Sequence, residues 1–131
     1  MTEAVKKIIW QWLDYANNDL GVAKFLFENY SPKPIEIICY HCQQAAEKAL
    51  KSVLIAKQER ITKTHNLLEL GRECVDIEKQ ELLSAIGRLN PYSVQVRYPN
   101  NIELTEAEAE QAIKDAEVIM KAVALLHENK R

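Results

Sequence analysis

Residues 37–51 carry the pattern that most limits how this chain can fold. At about 100° per residue, a helix through this stretch separates small and apolar side chains from polar ones. The apolar side holds Ile38, Cys39, Cys42, Ala45, Ala46, Ala49, Leu50 and Val53, and the polar side holds His41, Gln43, Gln44, Glu47, Lys48 and Lys51. Because small side chains let a neighbouring helix approach closely, we expect a central helix of a bundle. Its polar face is then either solvated surface or the lining of a site.

Helices are predicted at residues 2–29, 35–58 and 106–128. Thr2 is suited to cap the first, because a threonine hydroxyl accepts a bond from an unpaired amide of the first turn. Thr105 and Glu108 have the spacing of a capping box and indicate where the last helix begins.

Two further helices are predicted between the second and the last. One begins near Thr64 or His65, and Gly71 is expected to end or bend it. The other covers about residues 78–89 and stops at the pair Asn90-Pro91, because proline cannot continue a helix. No segment alternates over the length of a strand. The predicted fold is therefore all-α: one domain over residues 1–131, an antiparallel up-and-down bundle of four long helices and one short helix.

Composition narrows the class of protein. A chain of 131 residues suffices for a single core, and its net charge of −2 excludes a global basic field for nucleic acid while leaving a local patch open. No apolar run reaches the roughly 18 residues of a membrane span, and the N-terminus lacks a signal-peptide pattern. Three cysteines do not suggest a disulfide framework. We therefore predict a cytoplasmic protein without membrane contact.

The first helix leaves apolar side chains outside its core stripe. Trp10, Phe25 and Leu26 fall off the stripe, and we expect them to belong to the interface of a symmetric homodimer. Asp19 lies at the edge of the stripe. It is either a solvated carboxylate or a buried partner for a cation of the second helix.

Four motifs, taken in order, resemble the HEPN family (higher eukaryotes and prokaryotes nucleotide-binding). They are Trp12 with Ala16, Asp19-Leu20 and Ala23; residues 41–51, His-Cys-Gln-Gln-Ala-Ala-Glu-Lys-Ala-Leu-Lys; Thr64-His-Asn-Leu67; and Arg97-Tyr-Pro99. Asn66 stands where the family usually has Asp. The resemblance implies a helical bundle that dimerises through long helices and a link to nucleotides or RNA. Family members occur as ribonuclease toxins, as partners of minimal nucleotidyltransferases and as appended nucleotide-binding domains.

Arg60 and His65 are the catalytic candidates. Family ribonucleases carry an Arg followed after four to six residues by a His, a pair suited to metal-independent RNA cleavage because Arg stabilises phosphate charge while His moves a proton. In those nucleases the resemblance places the pair near the fourth helix, where two protomers meet. In this chain it straddles the connection between the second and third helices, and the fourth helix offers Arg88 without a His.

Six residues are candidates for contact with nucleotide or RNA: His41, Gln44, Lys48, Lys51, Arg97 and Tyr98. The cations would hold phosphate, and the tyrosine would stack on a base. The alternative is structural, with Lys48 paired to Asp19 or Glu47 and Arg97 fixing its loop.

Cys39 and Cys42 match the spacing C-x-x-C, but they lie mid-helix on the core side. A redox pair needs a helix N-terminus and a zinc site needs further ligands, so both are interpreted as small core residues. No metal site and no cofactor are predicted. The function predicted is that of a non-catalytic dimer that binds nucleotide or RNA, or that partners a minimal nucleotidyltransferase in a toxin–antitoxin-like pair. A metal-independent endoribonuclease toxin and a structural protein-interaction module are the alternatives.

Overall fold

The computed structural model describes residues 2–57, 64–74, 79–93 and 104–128. The helices are α1 (Glu3–Asn29), α2 (Ile35–Ala56), α3 (Leu67–Cys74), α4 (Gln80–Leu89) and α5 (Glu106–Glu128), and a 3₁₀ turn covers Asn90–Ser93. The described ranges contain no strand, and the predicted all-α bundle is confirmed. Three helices exceed 20 residues, whereas α4 has 10. None of the described helices is long and apolar enough to cross a membrane.

Both predicted N-terminal caps are observed. The Thr2 hydroxyl accepts a bond of 3.2 Å from the amide of Val5, which satisfies a donor that the helix cannot pair internally. At the start of α5, the Glu108 amide donates to the Thr105 hydroxyl at 3.2 Å, and the Thr105 amide donates back to the Glu108 carboxylate at 3.2 Å. These reciprocal bonds are a capping box, so sequence alone located the caps of α1 and α5.

The central helix is α2, which packs against α1, α3, α4 and α5. Ala45, Ala46 and Ala49 are fully buried, as the small-residue pattern predicts. Burial extends further round the helix than expected, because Glu47 and Lys51 of the predicted polar face are also inside. A helix with neighbours on nearly every side has little solvated face, and its polar side chains must find partners within the protein.

Contacts at both ends of α2 and α5 give the direction of these helices. Lys33, just before α2, lies 4.0 Å from Glu106 at the start of α5. Near the other end, Ser52 of α2 lies 2.9 Å from the His127 ring. The two helices therefore run the same way, and α1 runs antiparallel to both.

The α3 helix begins at Leu67, later than Thr64 or His65, because Asn66 caps it. The Asn66 side chain accepts a bond of 3.0 Å from the Leu68 amide. The expectation that Gly71 ends this helix is wrong, since α3 continues to Cys74. Gly71 instead marks a close approach to α4, where an added Cβ would lie 2.8 Å from the Cδ1 atom of Ile86.

The end of α4 and the exposure of three α1 side chains can also be compared with expectation. Asn90-Pro91 does end α4, but the chain continues as the 3₁₀ turn, and the Asn90 side chain accepts a bond of 2.8 Å from the Leu67 amide. Trp10 and Phe25 are exposed as predicted. Leu26 is not, since it packs in part against the core.

The two helical glycines Gly71 and Gly87 provide a matched test of this packing. Gly87→Ala is expected to stabilise the protein by about 0.5–1 kcal/mol, because alanine favours the helix and the new methyl group meets nothing within 4 Å. Gly71→Ala is expected to lose that gain to overpacking against buried Ile86. Urea unfolding measures both; a Gly71→Ala protein as stable as Gly87→Ala would contradict the close approach.

Candidate functional site

A carboxylate on α1 holds a lysine and a histidine side chain of α2. Asp19 is 9% exposed, and its two oxygens lie 2.9 Å from Nδ1 of His41 and 2.5 Å from Nζ of Lys48. The side chains of His41 and Lys48 are each 27% exposed, so their outer edges reach solvent. Of the two interpretations of Asp19, the buried partner for a cation is the one observed. Lys48 is paired with Asp19, as the structural alternative predicted.

A second carboxylate, Glu47, is shared in the same way. Its side chain is 5% exposed, and its oxygens lie 3.0 Å from Nζ of Lys51 and 2.9 Å from Nδ1 of His65. Gln43, fully buried, donates to Glu47 at 3.4 Å and to the His65 carbonyl at 3.3 Å. Glu47 therefore anchors the segment before α3 to the middle of α2. The sequence signal was the i, i+4 spacing of Glu47 and Lys51, which also occurs in exposed pairs.

An aromatic surface adjoins this second cluster. Nζ of Lys51 lies 5.8 Å from the centre of the Trp12 ring, a cation–π contact. Trp12 also lines a shallow depression of about 230 Å³ together with Gln11 and Tyr15, whose side chain is exposed. The α1–α2 seam thus combines fixed cations with open aromatic surface.

The structure brings most of the predicted contact residues together on α2. His41, Gln44 and Lys48 lie at the partly exposed edge of the helix, whereas Lys51 is buried beneath Trp12. Arg97 and Tyr98 lie outside the described residues, so their contacts stay predictions. The same holds for Arg60.

His65, the other catalytic candidate, is at the surface with its side chain 61% exposed. Its Nδ1 atom faces the buried carboxylate of Glu47. A carboxylate at Nδ1 favours the tautomer with the proton there, which leaves Nε2 as a base directed away from Glu47. Among the described residues no hydrogen bond to Nε2 is found.

Sequence reasoning missed a third cluster, between α4 and α5. Arg88 donates from Nε and Nη2 to the two oxygens of Asp115 at 2.8 Å each, and Gln111 donates to the same carboxylate at 2.9 Å. Asp115 is 2% exposed, and this charge-assisted bonding raises the pKa of Arg88 above its usual value. The available signal was an Asp within the apolar stripe of α5, three residues after Ala112 and four before Ile119.

Cys39 and Cys42 are buried thiols in the core, which confirms their structural interpretation. Burial raises the pKa of Cys39 to about 12 and also raises the pKa of Cys42. A thiol with so high a pKa stays protonated at neutral pH and reacts slowly. Across the described ranges, no group of three or more His, Cys, Asp or Glu side chains is arranged to hold a metal ion.

Two Lys–Glu pairs with the same i, i+4 spacing test the energetic importance of burial. Lys51→Ala is expected to cost about 3–5 kcal/mol, because it takes the lysine ammonium from a buried carboxylate. Lys114→Ala breaks the exposed pair with Glu110 and is expected to cost less than about 1 kcal/mol. Chemical denaturation measures both, and equal losses would mean that Glu47 does not depend on Lys51.

Comparison with solved structures finds the same fold. The crystal structure of TT1696 from Thermus thermophilus matches with a TM-score of 0.76 and 26% identity, covering 90% of this chain and 97% of that one. The crystal structure of ST0689, described as an archaeal HEPN homologue, matches with a TM-score of 0.72 and 24% identity, covering 88% and 94%. At 24% identity, the likeness to ST0689 concerns the fold alone.

Comparison of sequences extends the relationship beyond the fold. A protein of Methanocaldococcus jannaschii named "Putative toxin MJ1304" is 32% identical over 127 aligned residues, a match that covers 82% of this chain and 80% of the relative. The family model described as the HEPN domain matches residues 9–128. That match runs from the first turns of α1 to the last residue of α5, and the chain therefore belongs to the HEPN family.

Proposed function

We propose that this protein is the HEPN member of a toxin–antitoxin-like pair. In this proposal it is a homodimer without catalytic activity of its own, it binds nucleotide or RNA, and it acts with a minimal nucleotidyltransferase. The family membership and the similarity to the protein named as a toxin support the toxin–antitoxin-like role. The α1–α2 seam supports the binding role.

The observation that carries the binding role is the way in which Asp19 positions Lys48 and His41 at the surface. A lysine ammonium has three N–H donors, and one of those on Lys48 goes to Asp19. The remaining donors of Lys48, beside His41, are available to phosphate oxygens at the exposed edge. Because Asp19 already fixes the direction of both side chains, a bound phosphate orders less than it would with free lysines.

An exposed aromatic side chain of α1 lies next to this site. Tyr15 precedes Asp19 by four residues, so the two side chains are neighbours, one turn apart on α1. Stacking of a base on an exposed aromatic ring, with the phosphate on adjacent cations, is how sequence-tolerant nucleic-acid sites are built. Gln44 lies on the same edge of α2, and Arg97 and Tyr98 complete the proposed contact set.

The endoribonuclease remains a second candidate because of His65. A surface imidazole whose Nδ1 atom is held by a buried carboxylate, 2.9 Å away, has the orientation of a general base. The same bond has a structural purpose, since Glu47 ties the start of α3 to α2. We favour the structural role, because Lys51 and Gln43 share that carboxylate with His65.

The nucleotidyltransferase partner is tested by genetics and by purification. A minimal nucleotidyltransferase encoded beside this gene, and its recovery in a stable complex with the purified protein, are the expected results. A neighbouring gene of that kind whose product does not bind this protein would contradict the partnership.

Removing two of the proposed phosphate contacts tests the binding role. Labelled single-stranded RNA and ATP are expected to bind weakly, with an affinity that falls as salt rises. The double variant Lys48→Ala/Arg97→Ala is expected to lose this binding. The charge-matched double variant Lys114→Ala/Lys121→Ala, with both changes on α5, is expected to keep it. Equal binding by all three proteins would refute the seam as the site.

Incubation of metal-free protein with single-stranded RNA separates the binder from the enzyme. We expect the RNA to stay intact over hours, and we expect expression to cause no toxicity that His65→Ala relieves. Cleavage that disappears in both His65→Ala and Arg60→Ala, with unchanged circular dichroism, would replace our proposal by the ribonuclease.

A further inference from the structure

A depression of about 200 Å³ lies between α4, the 3₁₀ turn and α5. Its lining consists of Arg88, Tyr92, Glu108, Gln111, Ala112 and Asp115. The volume is smaller than the roughly 300–1,000 Å³ of pockets for drug-sized ligands, so it suits one ring system better than a whole nucleotide. The polar groups of the lining then determine which ring system fits.

Asp115 holds the hydrogen-bond donors of this cavity in place. Its carboxylate, which is 2% exposed, accepts two bonds from Arg88 and one from Gln111. A guanidinium has five N–H donors, so the Arg88 side chain keeps donors for a ligand after it has bonded to Asp115. Half of that side chain is exposed. Arg88 is therefore a fixed donor within reach of solvent.

Glu108 supplies an acceptor to the same cavity. Its Oε1 atom accepts from the amide and the hydroxyl of Thr105 in the capping box, which fixes the carboxylate. Its Oε2 atom bonds to none of the described residues, and no cation among them forms an ion pair with Glu108. Burial raises the pKa of Tyr92, and the negative charge of Glu108 contributes to the rise. The carboxylate thus lies close to the tyrosine that lines the cavity.

The charges of the lining limit the kind of ligand. Arg88 and Asp115 cancel, so Glu108 gives the lining a negative net charge, which disfavours phosphate. A lysine or arginine side chain of another protein would suit Glu108, but it would be repelled by Arg88 and has no acceptor for the Arg88 donors. The matching ligand is neutral and carries an acceptor beside N–H donors.

Guanine has this arrangement along one edge. Its O6 atom is an acceptor, and the neighbouring N1 and N2 atoms both carry N–H groups. One carboxylate can accept from both of these groups at once, while O6 accepts from a guanidinium. Adenine offers a single amino group beside an acceptor at N1, so it matches a carboxylate at one atom only.

We propose that the depression between α4 and α5 binds a guanine base, with Glu108 accepting from N1 and N2 and Arg88 donating to O6. The site is separate from the α1–α2 seam. Tyr92 is hydrogen-bonded to Cys39, which lies about 160° round α2 from His41 of the seam. The inference goes beyond the proposed function, because this site recognises a base and needs no phosphate contact.

Guanosine isolates the site because it has no phosphate. We expect a titration followed by saturation-transfer NMR to show weak binding that does not change with salt, since the ligand is neutral. Inosine lacks only the N2 amino group, and it is expected to bind on the order of tenfold more weakly, because it loses a hydrogen bond to a charged group. Absence of guanosine binding would overturn the site, and equal binding of the two nucleosides would overturn the contact of N2 with Glu108.

Glu108→Gln tests the acceptor and keeps the helix cap, because glutamine also serves in a capping box. The variant is expected to bind guanosine on the order of tenfold more weakly, with an unchanged circular dichroism spectrum. Glu110→Gln removes an equal charge at an exposed position of α5 and is expected to bind as the unaltered protein does. Equal affinity of all three proteins would refute Glu108 as the acceptor and with it the proposed site.

Further outcomes separate this site from the seam and from a protein ligand. Guanosine binding that Lys48→Ala abolishes and Glu108→Gln leaves intact would locate the nucleoside at the seam and overturn the inference. Argininamide that displaces guanosine, and that Glu108→Gln no longer binds, would mean that the cavity takes a cationic side chain. Failure of RNA and ATP to bind would overturn the proposed function, while guanosine binding would still establish the base site.

Discussion

The fold depends on how two carboxylates inside the helical bundle are matched by lysine and histidine side chains. A buried carboxylate without a partner would cost several kcal/mol, so Asp19 and Glu47 can lie inside only because each has one lysine and one histidine beside it. The first carboxylate joins α1 to α2, and the second joins α2 to the segment before α3. The same bonds that stabilise the bundle also fix the direction of the polar side chains along its surface.

Much of the fold follows from sequence because its signals are local. A capping hydroxyl bonds within its own first turn, and the small-residue stripe of α2 repeats at the helical period, so Thr2, Thr105 and Ala46 behave as expected. Gly71 was misinterpreted because its role depends on the close approach of Ile86, which is fifteen residues away in the sequence. No local pattern distinguishes a glycine that ends a helix from one that admits a neighbouring side chain.

The site is harder to predict from sequence than the fold, for a related reason. Glu47 and Lys51 have the spacing of an exposed helical pair, and only the surrounding helices make the pair buried. Asp19 could be assigned two roles, and the choice between them depends on where α2 lies. Asp115 was overlooked, although a carboxylate within an apolar stripe requires a cation nearby, and Arg88 supplies it. Spacing identifies which residues share a face, whereas burial decides what that face does.

The parallel arrangement of α2 and α5 has a consequence for how the chain folds. Neighbouring antiparallel helices such as α1 and α2 can associate as soon as both have formed, because their contacts are close in sequence. The contacts between α2 and α5 must wait, because α5 begins fifty residues after α2 ends and enters beside the start of α2. During synthesis the side of α2 that contacts α5 therefore stays open to solvent until the last quarter of the chain has emerged. The final helix thus closes a bundle whose other helices have already been made.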